Sequence, residues 1–311
     1  MSKTAFLFPG QGAQVVRMGA EIYEKHSRAR DVYSRANELL DFDLTDLCFN
    51  GPEEKLNSTQ YSQPAILVTS LAILDVVRNE TRLGQTQISA TAGLSLGEYT
   101  ALVFAGVLKF ADAVKLVYRR GQAMEKAGTI NPGGMTSIIG LSHEQVEGIV
   151  EKARMAGRVS AANYNSREQV VVSGEVKALE EVERLANEAG AKMAVRLKVS
   201  GAFHSELMAP AVEELKQALE EVELSVPQIP VVSNVTADYL AEPEQIKHML
   251  VAQLDHPVRW CQSMERLIAD GVRQFYEVGP GRVLSGLTKR IDRKVSCESL
   301  NDLGSIGSLT E

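Results

Sequence analysis

Residues 88 to 104, ISATAGLSLGEYTALVF, constrain this chain more than any other stretch. A short segment of β-branched and small residues runs into Gly93-Leu94-Ser95-Leu96-Gly97, and an apolar run with helical spacing follows at once. Strand, tight turn and helix in that order point to an α/β layered fold. The flanking glycines let the backbone bend, which lifts the Ser95 hydroxyl clear of the sheet and makes it a candidate nucleophile. The Leu96 N–H faces the same space from a helix N-terminus, where partial positive charge favours an oxyanion. The plainer alternative is a glycine-flanked loop serine.

The remaining pattern agrees with an α/β fold. KTAFLF (3–8) reads as a strand closing on Pro9-Gly10-Gln11-Gly12, a helical region starts near Gly19, and Pro64 to Val77 has helical apolar spacing. From about 133 to 199 the order is strand, helix, strand, strand, helix, strand: GGMTSIIGL, SHEQVEGIVEKARMAG, RVSAANYN, EQVVVSG, EVKALEEVERLANEAG and AKMAVRLKV. This βαββαβ order is ferredoxin-like. A helix past Pro210, a strand over 229–236, a helix around 257–270, a strand over 274–279 and a helix after Gly281 complete the prediction. The expected architecture is a large α/β domain with a mostly parallel sheet, over 1–130 and 199–311, interrupted by a small ferredoxin-like domain over 131–198.

Composition excludes several functions. With 311 residues and a formal net charge of −7, the chain lacks the basic balance of a general nucleic-acid binder. Its richest apolar run, PAILVTSLAILDVV, is interrupted by Thr69, Ser70 and Asp75, so it predicts no membrane span. The N-terminal apolar run stops at Pro9, too short for a secretory signal, and a cytoplasmic location is expected. Cys48, Cys261 and Cys297 show neither disulfide nor zinc spacing, and no metal site is expected. No exposed apolar stripe stands out, which predicts a monomer.

A serine nucleophile needs a base. Of five histidines, His26, His143 and His248 lie in polar or charged surroundings typical of solvated residues. His204, in VSGAFHSELM, follows a strand and a glycine loop at the start of a helix, whose positive end would keep its imidazole neutral. His256, in LDHPVRW, is the rival. In FADAVKLVYRRGQAM, Arg120 lies on the stripe formed by Ala113, Val117 and Met124, whereas Arg119 lies off it. No acid stands three or four residues away, so Arg120 is either paired with an acid elsewhere in the fold or free to clamp an anionic acyl group. The Gln11 loop falls where open α/β sheets place ligands. It is not a dinucleotide fingerprint, because Val15 stands where a third glycine is required.

FPGQGAQ, GLSLGEYTAL, YRRGQAM, AANYNSREQVVVSG, VSGAFHSELM, VSNVTAD, HPVRW and EVGPGRVLSGL occur in an order that resembles the malonyl-CoA:acyl-carrier-protein transacylases of fatty-acid synthesis, nearly end to end. The resemblance implies an α/β-hydrolase-like large domain, with Ser95 as the acylated nucleophile and His204 as its base. It makes Arg120 the partner of the malonyl carboxylate and Gln253 the residue whose backbone carbonyl orients the histidine. The Gln11 and Leu96 amides become the oxyanion hole, while Met124, Asn163 and Asn165 match substrate-cleft positions. The implied substrates are malonyl-CoA and the phosphopantetheine thiol of holo acyl carrier protein, with no cofactor.

Two positions depart from the family's usual motifs. Leu94 stands where histidine often precedes the serine, and GAFH stands for the common GPFH. Activity is expected to survive the first, and Ala202-Phe203 resembles the malonyl-selective members. Lys192, Arg196 and Lys198 alternate along one strand and, with Lys115, Arg119 and Lys126, form a candidate docking face for an acidic carrier protein. Alternatives are a serine esterase or thioesterase, a non-catalytic binding module, and a malonyl acyltransferase serving polyketide or malonate decarboxylase chemistry.

Overall fold

The computed structural model describes residues 3–309. Its larger sheet has six strands: β1 (Lys3–Phe8), β2 (Ile88–Gly93), β7 (Val231–Val232), β8 (Tyr239–Leu240), β9 (Val272–Val278) and β10 (Ser296–Leu300). Their order is β10-β9-β1-β2-β7-β8, parallel throughout except for the last pair. β1 lies between β9 and β2, so both of its edges are paired, and both of its faces are covered. Phe6 and Phe8 point into the core that contains the helix Thr59–Glu80, whereas Ala5 and Leu7 point into a second cluster with Trp260 and Phe275.

The second sheet comprises β3 (Gly134–Ile139), β4 (Val159–Ser166), β5 (Gln169–Gly174) and β6 (Met193–Arg196). Its order, β4-β5-β3-β6, is antiparallel throughout, and the helices His143–Ala153 and Val176–Glu188 complete the ferredoxin-like βαββαβ unit. Ile138, Val170 and Val172 meet Val146, Ile149, Leu179 and Val182 of those helices. On the opposite face Met135, Ala162 and Val171 join the main core. The Tyr164 N–H donates to Val258 O (2.9 Å), and the Val258 N–H donates to Ala162 O (2.8 Å), stitching β4 to the segment before the helix Trp260–Ala269. We propose 131–198 as the small domain, a division supported by the confinement of this sheet to residues 134–196.

Two expected strands are shorter than their patterns suggest. The strand over 229–236 is ordered as such only at Val231–Val232. After it the Ser233 N–H bonds to Asp238 O (2.9 Å), Ala237 takes φ 55°, and Asn234 turns inward to serve the site below. The strand over 191–199 keeps only Met193–Arg196. The additional edge strand β10 alternates in exposure along SCESL, a polar composition that hides a strand in the sequence.

Candidate active site

β2 ends at Gly93, and the helix Leu96–Phe104 begins two residues after Leu94. Ser95 between them has φ 51° and ψ −104°, a strained conformation for a residue with a Cβ. The turn is so tight that a Cβ on Gly93 would lie 1.9 Å from the Gly97 carbonyl carbon, and one on Gly97 would lie 2.1 Å from Phe8 O. Only glycine permits these backbone approaches. Three bonds hold the elbow: Leu94 N–H to Phe8 O (3.0 Å), Ser95 N–H to Asn234 Oδ1 (2.6 Å), and Asn234 Nδ2–H to Gly93 O (2.7 Å).

His204 also has positive φ, 59°, which turns its ring toward the elbow. Its Nδ1 lies 2.6 Å from Gln253 O and its Nε2 lies 2.9 Å from Ser95 Oγ. A carbonyl oxygen only accepts, so Nδ1 carries the proton and the Nε2 lone pair is left for the serine hydroxyl. No carboxylate bonds to His204 among the described residues. Burial, and then the Arg120 charge, push its pKa down to about 4, so the ring is neutral at pH 7. Neutrality agrees with the sequence-based expectation but has a different cause: the expected helix start is a three-residue 3₁₀ turn, Glu206–Met208. The rival His256 is exposed and bonded to Asp255 (2.6 Å), which separates it from the serine.

Arg120 is 1 % exposed and extends from the helix Phe110–Ile130 toward both residues. Its Nη2 donates to Gln253 Oε1 (2.8 Å) and, more weakly, to Ser95 Oγ (3.3 Å), while Nη1 donates to Gln63 Oε1 (2.7 Å). The guanidinium lies over the Tyr99 ring, 5.3 Å from its centroid. No acid lies within ion-pairing distance of it among the described residues. Burial lowers its pKa, with Tyr99 and Glu98 opposing, yet an arginine remains charged. A desolvated cation held by neutral amides is prepared for an anion.

The other expected positions divide into two groups. The Leu96 amide opens its helix, and neither it nor the Gln11 amide has an acceptor among the described residues. A Cβ on Gly10 would lie 2.2 Å from Leu94 O, so the Gln11 loop presses against the elbow. Met124 Sδ accepts from Gln63 Nε2 (3.3 Å), beside the Arg120 anchor. Asn163 bridges to Val258, and Asn165 Oδ1 is buried without a protein partner; neither bonds to Ser95, His204 or Arg120 among the described residues. The expected docking face is largely neutralised: Arg196 pairs with Glu183, Arg119 with Glu221, Lys126 with Glu214 and Lys192 with Glu168.

Sequence reasoning missed Gln63, Glu98 and Asn234, each of which meets the site through a distant partner. A signal existed for Glu98, an acid inside the otherwise nearly apolar helix LGEYTALVF.

A hydroxyl hydrogen-bonded to a neutral imidazole, beside free amides at a helix start, is the equipment of serine acyl-transfer enzymes. The chain belongs to the acyl transferase domain family, whose model matches residues 5–307. It is 45% identical over 303 residues to the malonyl CoA-acyl carrier protein transacylase of Bacillus subtilis (strain 168), covering 97% of this chain and 94% of that protein. Identity to the protein of the same name in Escherichia coli (strain K12) is 40% over 311 residues, 100% of each. Among solved structures, an acyl carrier protein S-malonyltransferase from Vibrio cholerae matches with TM-score 0.94 and 44% identity over 99% of each chain. A malonyl-transacylase in complex with a type II PKS acyl-carrier protein matches with TM-score 0.95 and 41% identity, again over 99% of each chain.

Proposed function

We propose that this protein transfers the malonyl group of malonyl-CoA to the phosphopantetheine thiol of an acyl carrier protein, through a malonyl ester on Ser95. The observation that carries this reading is the buried Arg120 guanidinium, 3.3 Å from the Ser95 hydroxyl and without an acid partner among the described residues. Its fork fits the free carboxylate of malonyl, and it has no use in a site for neutral acyl groups.

The reaction runs in two halves. Malonyl-CoA enters with its carboxylate on Arg120, and Ser95 Oγ attacks the thioester carbon as His204 Nε2 takes the hydroxyl proton. The Gln11 and Leu96 amides receive the oxyanion. Pairing of Arg120 with the malonyl carboxylate offsets the positive field that depresses His204, so substrate binding strengthens the base as it is needed. The Gln253 carbonyl stabilises the resulting imidazolium through Nδ1–H. Collapse breaks the carbon–sulfur bond, and CoA sulfur leaves with the proton from His204. The carrier thiol then attacks malonyl-Ser95 by the reverse sequence, returning the proton to Ser95. A cytoplasmic location belongs to the same proposal; a thiol acceptor and the free thiols of Cys48, Cys261 and Cys297 suit a reducing compartment.

The test compares acylation by malonyl-CoA and acetyl-CoA in Arg120→Ala. Loss of a charged hydrogen-bonded pair lowers kcat/KM for malonyl by about 10²-fold. The acetyl reaction, which never uses the pair, holds or rises. An equal fall for both acyl groups contradicts the role given to Arg120.

A further inference from the structure

Behind the elbow lies an acid that the mechanism above does not use. Glu98 is 1 % exposed, one helical turn past Ser95, in a helix whose residues Leu96 to Leu102 are all buried. Its Oε2 accepts from Gln253 Nε2 (2.5 Å) and from the Asn234 backbone N–H (3.4 Å). Oε1 has no hydrogen-bond partner among the described residues. A buried carboxyl group with one idle oxygen is costly to keep.

Its two partners are the residues that set the geometry of the pair. Gln253 supplies the carbonyl that fixes the His204 tautomer, and its side chain bonds Ser95 O (3.1 Å) and Arg120 Nη2 (2.8 Å). Asn234 clamps the elbow through Ser95 N–H and Gly93 O. The side-chain amide of Gln253 can satisfy Arg120 only if its oxygen faces the guanidinium, which forces its NH₂ toward an acceptor on the other side. Two acceptors meet it there, Ser95 O and, at the shorter distance, Glu98 Oε2. We infer that Glu98 is a positioning residue for acyl transfer, locking the Gln253 amide orientation and the Asn234 clamp so that serine, histidine and arginine are held in register.

The inference takes the acyl-transfer reading of the site as given. Burial pushes the Glu98 carboxyl up to about 7, with Gln253, Asn234 and Arg120 opposing. In its neutral form it still accepts both bonds at Oε2 and adds no charge to compete for Arg120. Glu98→Gln retains an acceptor at that position through its amide oxygen, whereas Glu98→Ala and Glu98→Asp withdraw it.

The test is single-turnover acylation by malonyl-CoA, read by intact-protein mass spectrometry as both rate constant and final fraction acylated. Wild type first shows that a malonyl adduct forms; its absence overturns the acyl-transfer reading, and this inference with it. Given that adduct, Glu98→Ala is expected to acylate to full extent but at least tenfold more slowly, with Glu98→Gln recovering to within about threefold of wild type. A wild-type rate constant in Glu98→Ala overturns the positioning role while leaving the function intact. A reduced final fraction at an unchanged rate constant also overturns it, because the acid then serves only folding. Should Glu98→Ala not fold, Glu98→Asp decides by the same two readings, slow and complete for the positioning role, fast or incomplete against it.

Discussion

The elbow and the small domain are built on opposite terms. In the ferredoxin-like unit, valine, isoleucine and alanine from β3, β4 and β5 meet the faces of two amphipathic helices. Their burial follows the alternation of each strand and the stripe of each helix. Around Ser95, by contrast, the protein buries Arg120, Glu98, His204, Asn234 and Gln253 together, and strains the backbone at both Ser95 and His204. Glu98 Oε1 and Arg120 Nε make no hydrogen bond among the described residues. Local rules yield at the site: the small domain is organised for stability, and the elbow holds costly groups in fixed positions because the chemistry requires them.

Substitutions should therefore separate rate from stability in opposite directions. The largest effect is expected for His204→Ala, which removes the base and lowers acylation of Ser95 by about 10²–10⁴-fold. Stopped-flow acylation checks it, and a fall of less than tenfold would break the contrast on the catalytic side. Leu179→Ala, in the small-domain core, is expected to cost about 2–5 kcal/mol in urea unfolding while the rate constant per acylable site stays unchanged. A slowed rate constant at full occupancy would show that the two regions are coupled.

A smaller effect concerns pH. The folded His204 pKa lies near 4 and the unfolded one near 6.5, so between these values the unfolded chain binds the extra proton. Stability from this group is thus present above pH 6.5 and lost as pH falls through 4, up to about 3 kcal/mol. Urea unfolding of wild type and His204→Asn at pH 7 and 4.5 reads it: wild type loses more on acidification. Equal losses would mean that the imidazole is not buried neutral. The smallest effect belongs to Met155, 94% exposed at the end of a small-domain helix, where Met155→Lys should change stability by less than about 0.5 kcal/mol.

Much of this was legible in the sequence because it rests on local pattern. The βαββαβ order follows from periodicity and helix-ending glycines, and Arg120 from its place on an apolar stripe. Ser95 announced itself by the glycines that the elbow's backbone contacts demand. The network behind the pair was not legible, because Asn234 is 139 residues from Ser95 and Gln253 is 158. VVSNVT is rich in β-branched residues and reads as a strand, and nothing local says that Asn234 leaves the sheet to cap the elbow. The low His204 pKa was expected for a local reason, a helix end, whereas its causes are burial and the charge of Arg120, from the helix Phe110–Ile130.

Malonyl transfer through Ser95 is tested most directly by intact-protein mass spectrometry of wild type and Ser95→Ala after brief incubation with malonyl-CoA, followed by addition of holo acyl carrier protein. One malonyl adduct is expected on wild type and none on Ser95→Ala, with transfer of that adduct to the carrier. An adduct that discharges to water while the carrier stays unmodified would contradict malonyl transfer through Ser95, as would an undiminished adduct on Ser95→Ala.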